Sequence, residues 1–272
     1  MSDPAFDISH HLAGAAGMVV ASANVVMQLG VPGVGHGVAE STVDSGNVLL
    51  HPWKRLRTTT SYITVALVGD DATRENYRKA VNRSHTAVRS GPDSPVPYNA
   101  FDPALQLWVA ACLYVGMRDQ RELFLGPLDD TEAEAFYRYC ARLGTTLQVR
   151  EEDWPADREA FDRYWRNGLA AIHYDPVVRE HLMKVVELRM LPWFLRIGTA
   201  RVNRFFTTAL LPAEFRTAMA LPWSAGNELW FRRVATLLRV VTRLTPRWLR
   251  VLPVRLQLAE VRFRIRRGWR LV

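Results

Sequence analysis

The stretch FDPALQLWVAACLYVGMR, Phe101 to Arg118, decides the fold class of this chain. Asp102 is a residue type that caps helix N-termini, and Pro103 suits the first helical position because its missing N–H would have no partner there. The apolar side chains that follow do not alternate as they would in a half-buried strand. The stretch therefore predicts a helix that begins at Pro103.

Similar helix signals recur on both sides of this stretch. Helical patterns end at glycines near residues 30, 69, 91 and 144, and Asp157 resembles another N-cap. Thr131 and Glu134 have the spacing of a capping box. No pair of alternating strands, no hairpin dipeptide and no internal repeat is found. The sequence therefore predicts an all-α protein, with one large helical domain over residues 1–272.

The composition agrees with a globular helical protein. The 272 residues are 49% hydrophobic and 23% charged, which is enough apolar material for a sizeable core. Cys112 and Cys140 stand alone, without the spacing of a metal site or a disulfide framework. Together with the lack of a recognisable signal peptide, this pattern predicts a cytoplasmic protein.

Positive charge is concentrated near the C-terminus. From residue 229 onward the chain has twelve arginines and one acid, Glu260, and the arginines alternate with Trp, Leu, Val and Ile. Arginine stems can lie along apolar surface while their charges face anionic lipid. This basic helical C-terminus, in particular Arg262, Arg264, Arg266 and Arg267, is consistent with a peripheral contact with the inner face of a membrane and also with a simple solvated face. No nucleic-acid partner is expected, because no reading motif accompanies the charge.

A second apolar feature is the uncharged segment Leu12 to Gly35. Its length alone would suit a membrane-spanning helix. Ser22, Asn24 and Gln28 interrupt the segment, however, and Pro32 limits it. A buried core helix that ends near Gly30 is the interpretation that these residues favour.

Most enzyme signatures are missing from the chain. It has no G-x-S-x-G, P-loop, H-E-x-x-H or Glu-x-x-His motif, and the glycine-rich loop Gly30 to Gly37, which contains His36, follows no strand. Among the histidines, His85 alone is centred on an apolar helix face, beside Tyr77, Val81 and Val88. Such a histidine could be a hydrogen-bonded core residue or the proximal ligand of a haem. The pattern alone leaves both interpretations open.

The order of several segments resembles the MpaB/rubber-oxygenase catalytic domain family, which includes the latex-clearing proteins. The segments are NVVMQLGVPGVGHGVAES from Asn24, HPWKRLRTTTSYITVALVG from His51, and SHTAVRSGPDSPVPYNAFDPALQLWVAACL from Ser84. Looser agreement continues to about Arg266. The resemblance implies an all-α haem b protein with a globin-like core, which uses dioxygen to oxidise apolar, isoprenoid-like substrates.

The resemblance also implies roles for individual residues. His85 would be the proximal iron ligand, and Arg55 and Thr59 would match an arginine–threonine pair near the haem. Tyr77, Val81, Val88 and Trp108 would form pocket walls, although the same residues could be general core. Without the resemblance, Arg55 could equally form a structural ion pair, and the Thr59 hydroxyl could bond back to its own helix.

Two positions depart from the rubber-oxygenase pattern. Thr58 stands where those enzymes have a lysine, and Glu40, the nearest candidate for a general base, is offset by about one residue. We therefore expect an oxygenase for a small lipophilic substrate rather than for polyisoprene itself. The alternative is a non-catalytic helical protein that binds haem or lipid at a membrane surface.

Overall fold

A computed structural model describes residues 6–41, 43 and 46–272 of the chain. The α-helices are α1 Ala21–Gln28, α2 Pro32–Ala39, α3 Pro52–Val68, α4 Asp71–His85, α5 Pro103–Leu125, α6 Asp130–Cys140, α7 Arg142–Thr145, α8 Arg158–Ala170, α9 Pro176–Val186, α10 Trp193–Leu210, α11 Ala213–Ala218, α12 Ala225–Leu244 and α13 Arg247–Arg267. Short 3₁₀ helices lie at Ile8–His11, Gly14–Val20 and Glu151–Asp153.

Helix α5 is the centre of the main core. The Asp102 side chain accepts hydrogen bonds from the backbone N–H groups of Ala104 (2.8 Å) and Leu105 (3.4 Å), which confirms the predicted cap. Residues on every side of α5 are buried. Helices α1, α7 and α12 pack against it, together with the 3₁₀ helix Gly14–Val20. A helix that is apolar all round needs such a complete cover.

Aromatic rings fill the space between α5, α6 and α8. The Tyr114 ring lies edge-on to Phe161, with centroids 4.8 Å apart, and edge-on to Tyr137 at 5.2 Å. Trp108 stacks on Trp165 with centroids 5.1 Å apart. The Trp108 indole N–H is directed at the carbonyls of residues 27 and 28, both at 3.2 Å. Trp108 is therefore a core residue that joins α5 to α1 and α8.

A second, smaller core lies between α3, α4 and α13. It contains the buried side chains of Val65, Tyr77, Ala80, Val261 and Leu271. Side chains on its edge are half-buried, among them that of Val81. This second core anchors the C-terminal helix on the two helices that contain the predicted haem residues.

The prediction of an all-α fold is confirmed. About 72% of the structure is helical, and the described residues contain no strand, only an isolated bridge between Arg89 and Asn99. The globin-like core is not confirmed, and the single domain over residues 1–272 stays a prediction.

The glycine-rich segment differs from its prediction. Gly30 to Gly37 was expected to be a loop, but Pro32–Ala39 is helix α2, with Pro32 in its first turn. Gly35 lies too close to the backbone of residue 29 for a side chain, since a Cβ would be 2.8 Å from that carbonyl oxygen. The glycines therefore serve close helix packing. As a result His36 is on a helix, four residues before Glu40.

Two other boundaries are corrected. The cap of α6 is Asp129, whose side chain accepts from the N–H of Glu132 at 2.8 Å, so the predicted capping box of Thr131 and Glu134 is wrong. Helix α4 ends at His85 and not near Gly91. Val88 therefore lies beyond the helix, and its carbonyl accepts from the N–H of Ala100 at 3.0 Å.

The uncharged N-terminal segment is a bent pair of helices. Residues Gly14–Gln28 and Pro32–Ala39 meet at an angle of 108°, and only together do they reach the length and hydropathy of a membrane span. No single described helix reaches that threshold. Val26 and Met27 are buried in the main core, as the core-helix interpretation predicts.

The packing predicts that Trp108→Ala lowers the free energy of unfolding by about 3–5 kcal/mol, since the substitution leaves a large cavity beside Trp165 and removes an indole donor. Urea unfolding monitored by circular dichroism measures this loss. The exposed Trp53 is the matched control, and Trp53→Ala should change stability by no more than about 0.5 kcal/mol. Equal losses in the two variants would contradict the assignment of Trp108 to the core.

Candidate functional site

His85 is the last residue of α4, and its imidazole is half-buried. Its Nδ1 atom is buried and has no hydrogen-bond partner among the residues that the structure describes. The Phe101 ring lies edge-on to the imidazole, with centroids 6.3 Å apart. Burial, and then the positive charge of Arg55, lower the pKa of His85 to about 4. The imidazole is therefore neutral at neutral pH, and no described residue pairs with its buried nitrogen.

Arg55 lies in the first turn of α3, close enough to His85 for its charge to act on the imidazole. The residue as a whole is exposed, but its guanidinium is surrounded closely enough that desolvation lowers its pKa. Among the described residues no carboxylate pairs with Arg55, whereas its neighbour Arg57 lies 3.9 Å from Glu260. Within the described part of the chain, Arg55 therefore makes no structural ion pair.

Tyr77 and Val81 lie on the same side of α4 as this pair. The Tyr77 ring is fully buried, and its hydroxyl donates to the carbonyl of Thr58 at 2.8 Å. Burial raises the pKa of Tyr77 to about 12, although the charges of Arg57 and Arg55 oppose the shift. Arg55, Tyr77 and His85 therefore form one cluster between α3 and α4.

Three successive threonines follow Arg55 on α3. The Thr58 hydroxyl donates to the carbonyl of Arg55 at 3.1 Å, and the Thr60 hydroxyl donates to that of Leu56 at 2.9 Å. These are back-bonds within the helix. Thr59 is half-buried and makes no such bond among the described residues. Its hydroxyl is thus the one of the three that remains available, one turn after Arg55.

Two predicted wall residues lie differently from their prediction. Trp108 packs in the main core against Trp165. Val88 lies beyond the end of α4, and its N–H donates to the carbonyl of His85 at 2.9 Å. Periodicity placed Val88 beside His85, because the helix was expected to continue to Gly91. The structure does bring Arg55, Tyr77, Val81 and His85 to one region.

Glu40, the candidate base, belongs to a neighbouring cluster that centres on His36. His36 Nδ1 lies 2.5 Å from a Glu40 carboxylate oxygen, and His36 Nε2 lies 2.6 Å from an Asp175 oxygen. The Tyr98 hydroxyl donates to the other Glu40 oxygen at 3.2 Å. The His173 ring is 3.2 Å from Asp175. These contacts join α2, the start of α9 and the loop after α4.

The electrostatics of this cluster favour a charged His36. Burial disfavours the imidazolium, but hydrogen bonds to Asp175 and Glu40 outweigh it and raise the pKa of His36. Burial alone would raise the pKa of Glu40, yet its hydrogen bond with His36 brings the net shift below the ordinary value. A lowered pKa makes Glu40 a weak proton acceptor. Its role as a general base stays a prediction.

The loop of residues 86–102 connects the two clusters. Its Tyr98 contacts Glu40, and its Phe101 contacts His85, so both groups lie against one short segment. The sequence signal for His36 was its spacing of four from Glu40, which places the two side chains on one face only if the segment is helical. The glycines of this segment indicated a loop, so the spacing was not recognised as a signal.

A single histidine is all that haem iron requires from the protein on its proximal side. No group of three or more His, Cys, Asp or Glu residues in the described part of the chain is arranged to hold a bare metal ion. A surface groove of about 620 Å³ runs between the start of α4 and α13, beside Arg255, Arg262 and Arg266. His85 and Arg55 do not line it.

Comparison with known proteins identifies one protein family and two close relatives. The model of the family described as "ER-bound oxygenase mpaB/B'/Rubber oxygenase, catalytic domain" matches residues 8–240. The chain is 50% identical over 255 residues to uncharacterized protein Mb2261 of Mycobacterium bovis, and equally to uncharacterized protein Rv2237 of Mycobacterium tuberculosis. Each alignment covers 94% of this chain and 100% of the relative. No solved structure matches the chain.

The His36 contacts predict a pH dependence of stability. Because the native pKa of His36 is raised, its contribution is complete below its ordinary value of 6.5 and is lost as the pH rises through the native pKa. The pKa values of Glu40 and Asp175 are lowered, so their contributions are lost as the pH falls from 4.5 and 3.8. We expect His36→Gln to lower the free energy of unfolding by about 2 kcal/mol between pH 4.5 and 6.5, and by less above it.

Urea unfolding over a pH series measures this difference. The exposed His51 is the matched control, and His51→Gln should follow the wild-type pH profile. The difference in the free energy of unfolding between His36→Gln and wild type should vary with pH. If this difference stays constant from pH 5 to about 9, an ionised His36 is contradicted, since a neutral side chain has no such pH dependence.

Proposed function

This chain belongs to the mpaB/rubber oxygenase catalytic-domain family, and from that premise we propose that it is a haem b-dependent oxygenase that acts with dioxygen on a lipophilic substrate. The family supports an oxygenase. The haem, its ligand His85 and the class of substrate are inferences that rest on the family resemblance together with the residues described above.

The observation that carries the proposal is the cluster of His85 and Arg55. The His85 imidazole is neutral and has a buried nitrogen without a partner among the described residues. The Arg55 guanidinium has no carboxylate partner among the same residues. Buried polar groups in folded proteins are normally paired. A neutral imidazole beside an unpaired cation is the donor set that a haem needs, for its iron and for a propionate.

The other residues of the cluster fit the same group. Tyr77 and Val81 would contribute apolar wall, and Arg55 would hold a propionate by charge-assisted hydrogen bonds. Bound haem would supply the activation of dioxygen. The available Thr59 hydroxyl could donate a hydrogen bond on the same side of α3. Glu40, whose lowered pKa keeps it ionised, could accept a proton from a substrate only at the cost of its bond with His36.

A lipophilic substrate is supported by the surface around the start of α3. Leu50, Trp53 and Leu56 are exposed there, on either side of Arg55 in the sequence. Exposed apolar side chains beside a polar cluster are a common feature of sites for apolar ligands. Thr58 replaces the lysine expected in rubber oxygenases, which favours a small lipophilic molecule over a polymer.

The experiment compares two histidine variants. Purified protein produced with a haem supply should show a Soret band, and His85→Ala should lose it. His181, another partly buried histidine with an unpaired ring nitrogen, is the matched control, and His181→Ala should retain the band. The wild-type protein and His181→Ala should also consume dioxygen with a short-chain isoprenoid substrate, whereas His85→Ala should not.

The outcomes separate three possibilities. A Soret band that is unchanged in His85→Ala would contradict the ligand assignment. A band that depends on His85 without any dioxygen consumption would favour a haem-binding protein over an oxygenase. Wild-type protein that takes up no haem would contradict the proposal as a whole.

The role of Arg55 predicts a separate effect. Arg55→Gln removes the cation from the cluster, so we expect haem to transfer to apomyoglobin at least about tenfold faster, because a charge-assisted bond is lost. Arg57→Gln, on the same turn but paired with Glu260, is the matched control and should leave the transfer rate nearly unchanged. Equal rates in both variants would contradict a propionate partner at Arg55.

A further inference from the structure

The first turns of α10 expose several large apolar side chains to solvent. Trp193 is 70% exposed and Ile197 is 68% exposed, and Phe194 and Leu195 between them are also exposed. These side chains point in different directions around the helix, because successive residues are about 100° apart. A helix of a globular protein normally buries its apolar stripe. Here two apolar turns are not covered by any other part of the described chain.

Helix α12 has an exposed apolar stripe of its own. Trp230, Val234, Leu237, Val241 and Leu244 follow one another at intervals of four and three residues, so they lie along one side of the helix. Four of them are exposed, with Leu244 at 77%, and Val234 is half-buried. A different side of α12, which includes Ala235 and Thr242, is buried toward the core, where α12 packs on α5. The stripe is therefore additional to what the fold requires.

The two helices are neighbours. The rings of Phe206 on α10 and Phe231 on α12 meet edge-on, with centroids 6.4 Å apart. Helix α13 begins directly after α12, and its Trp248 is exposed as well. We call these exposed side chains the apolar face; it comprises Trp193, Phe194, Ile197, Trp230, Leu237, Val241, Leu244 and Trp248.

Positive charge predominates beside the apolar face, although Glu187 lies 3.7 Å from Arg204 of α10 and Glu228 pairs with Arg232 of α12 at 2.8 Å. No acid occurs between Glu187 and Glu214, or between Glu228 and Glu260. Arg196 and Arg201 on α10 are exposed, as are the arginines at positions 233 and 243 of α12. Exposed tryptophans with an excess of arginines over acids match the boundary between headgroups and acyl chains of an anionic bilayer. A second copy of the chain would instead place like charges opposite each other.

We propose that the apolar face of α10, α12 and the start of α13 inserts into the surface of an anionic lipid bilayer. Trp193, Phe194 and Ile197 enter the acyl boundary, and the neighbouring arginines bind lipid phosphates. This contact does not depend on the oxygenase assignment, because none of its residues belongs to the His85 cluster.

The proposal relocates the contact predicted from the C-terminal arginines. Arg262 is paired with Asp70 at 2.7 Å, and Arg264 with Glu260 at 2.7 Å. The Arg262 pair joins α13 to the start of α4, and the Arg264 pair lies within α13. The lipid contact lies earlier in the chain, on α10 and α12, where the exposed apolar side chains are.

The experiment is co-sedimentation of the full chain with sucrose-loaded vesicles. Wild-type protein should sediment with mixed phosphatidylcholine–phosphatidylglycerol vesicles and much less with phosphatidylcholine alone. The double variant Trp193→Ser/Ile197→Ser should partition on the order of tenfold more weakly, because two exposed apolar side chains no longer enter the bilayer. Leu237→Ser/Leu244→Ser, on α12, should have a similar effect.

The matched control is Val177→Ser/Trp269→Ser, which removes apolar side chains that are 59% and 56% exposed away from this face. It should bind vesicles like the wild type. All the substituted residues are exposed, and circular dichroism of each variant verifies that its helices are intact. If the α10 and α12 variants bind vesicles as strongly as the wild type does, the proposal is overturned. A wild-type dimer, detected by light scattering, that these variants convert to monomer would also overturn it, since the occupant would then be a second copy.

Discussion

The burial of the middle of α5, where every residue from Ala110 to Met117 is buried, is the constraint on which the rest of the structure depends. A helix segment that is buried on all sides must be covered on all sides, and α1, α7 and α12 pack against it. The cover is close enough that a Cβ at Gly168 would lie 2.3 Å from the Trp108 ring. The capped start of α5 also ends the loop that places Phe101 against His85 and Tyr98 against Glu40.

Local signals in the sequence predicted the helices whose ends have side-chain caps. Asp102 and Asp157 cap α5 and α8, and both were recognisable because the chemistry of capping is local. The α2 helix was missed, since its glycines indicate a loop unless the packing against other helices is known. The end of α4 was misplaced for a related reason: the bond between the carbonyl of Val88 and the N–H of Ala100 is a tertiary contact that no periodicity contains.

The candidate site was also predictable only in part, because some of its contacts are local and others are tertiary. Family resemblance named Arg55 and His85, and the structure brings their side chains into one cluster, which leaves their assigned chemistry to be tested. The unpaired state of the His85 nitrogen could not be predicted, because it depends on every neighbour of that ring. The link from His36 to Asp175 spans 139 residues of sequence, so it was equally inaccessible. The exposed stripe of α12 has the periodicity of a core helix, and only its position on α5 shows that this stripe faces outward.

The central claim is that the imidazole of His85 binds haem iron. The most direct measurement is a spectroscopic titration of the purified chain with haem b, in wild type and in His85→Gly, each with and without added imidazole. We expect wild type to saturate at an equimolar ratio, and His85→Gly to give the same spectrum only when imidazole fills the space of the missing side chain. A His85→Gly protein that saturates identically without imidazole would contradict the claim.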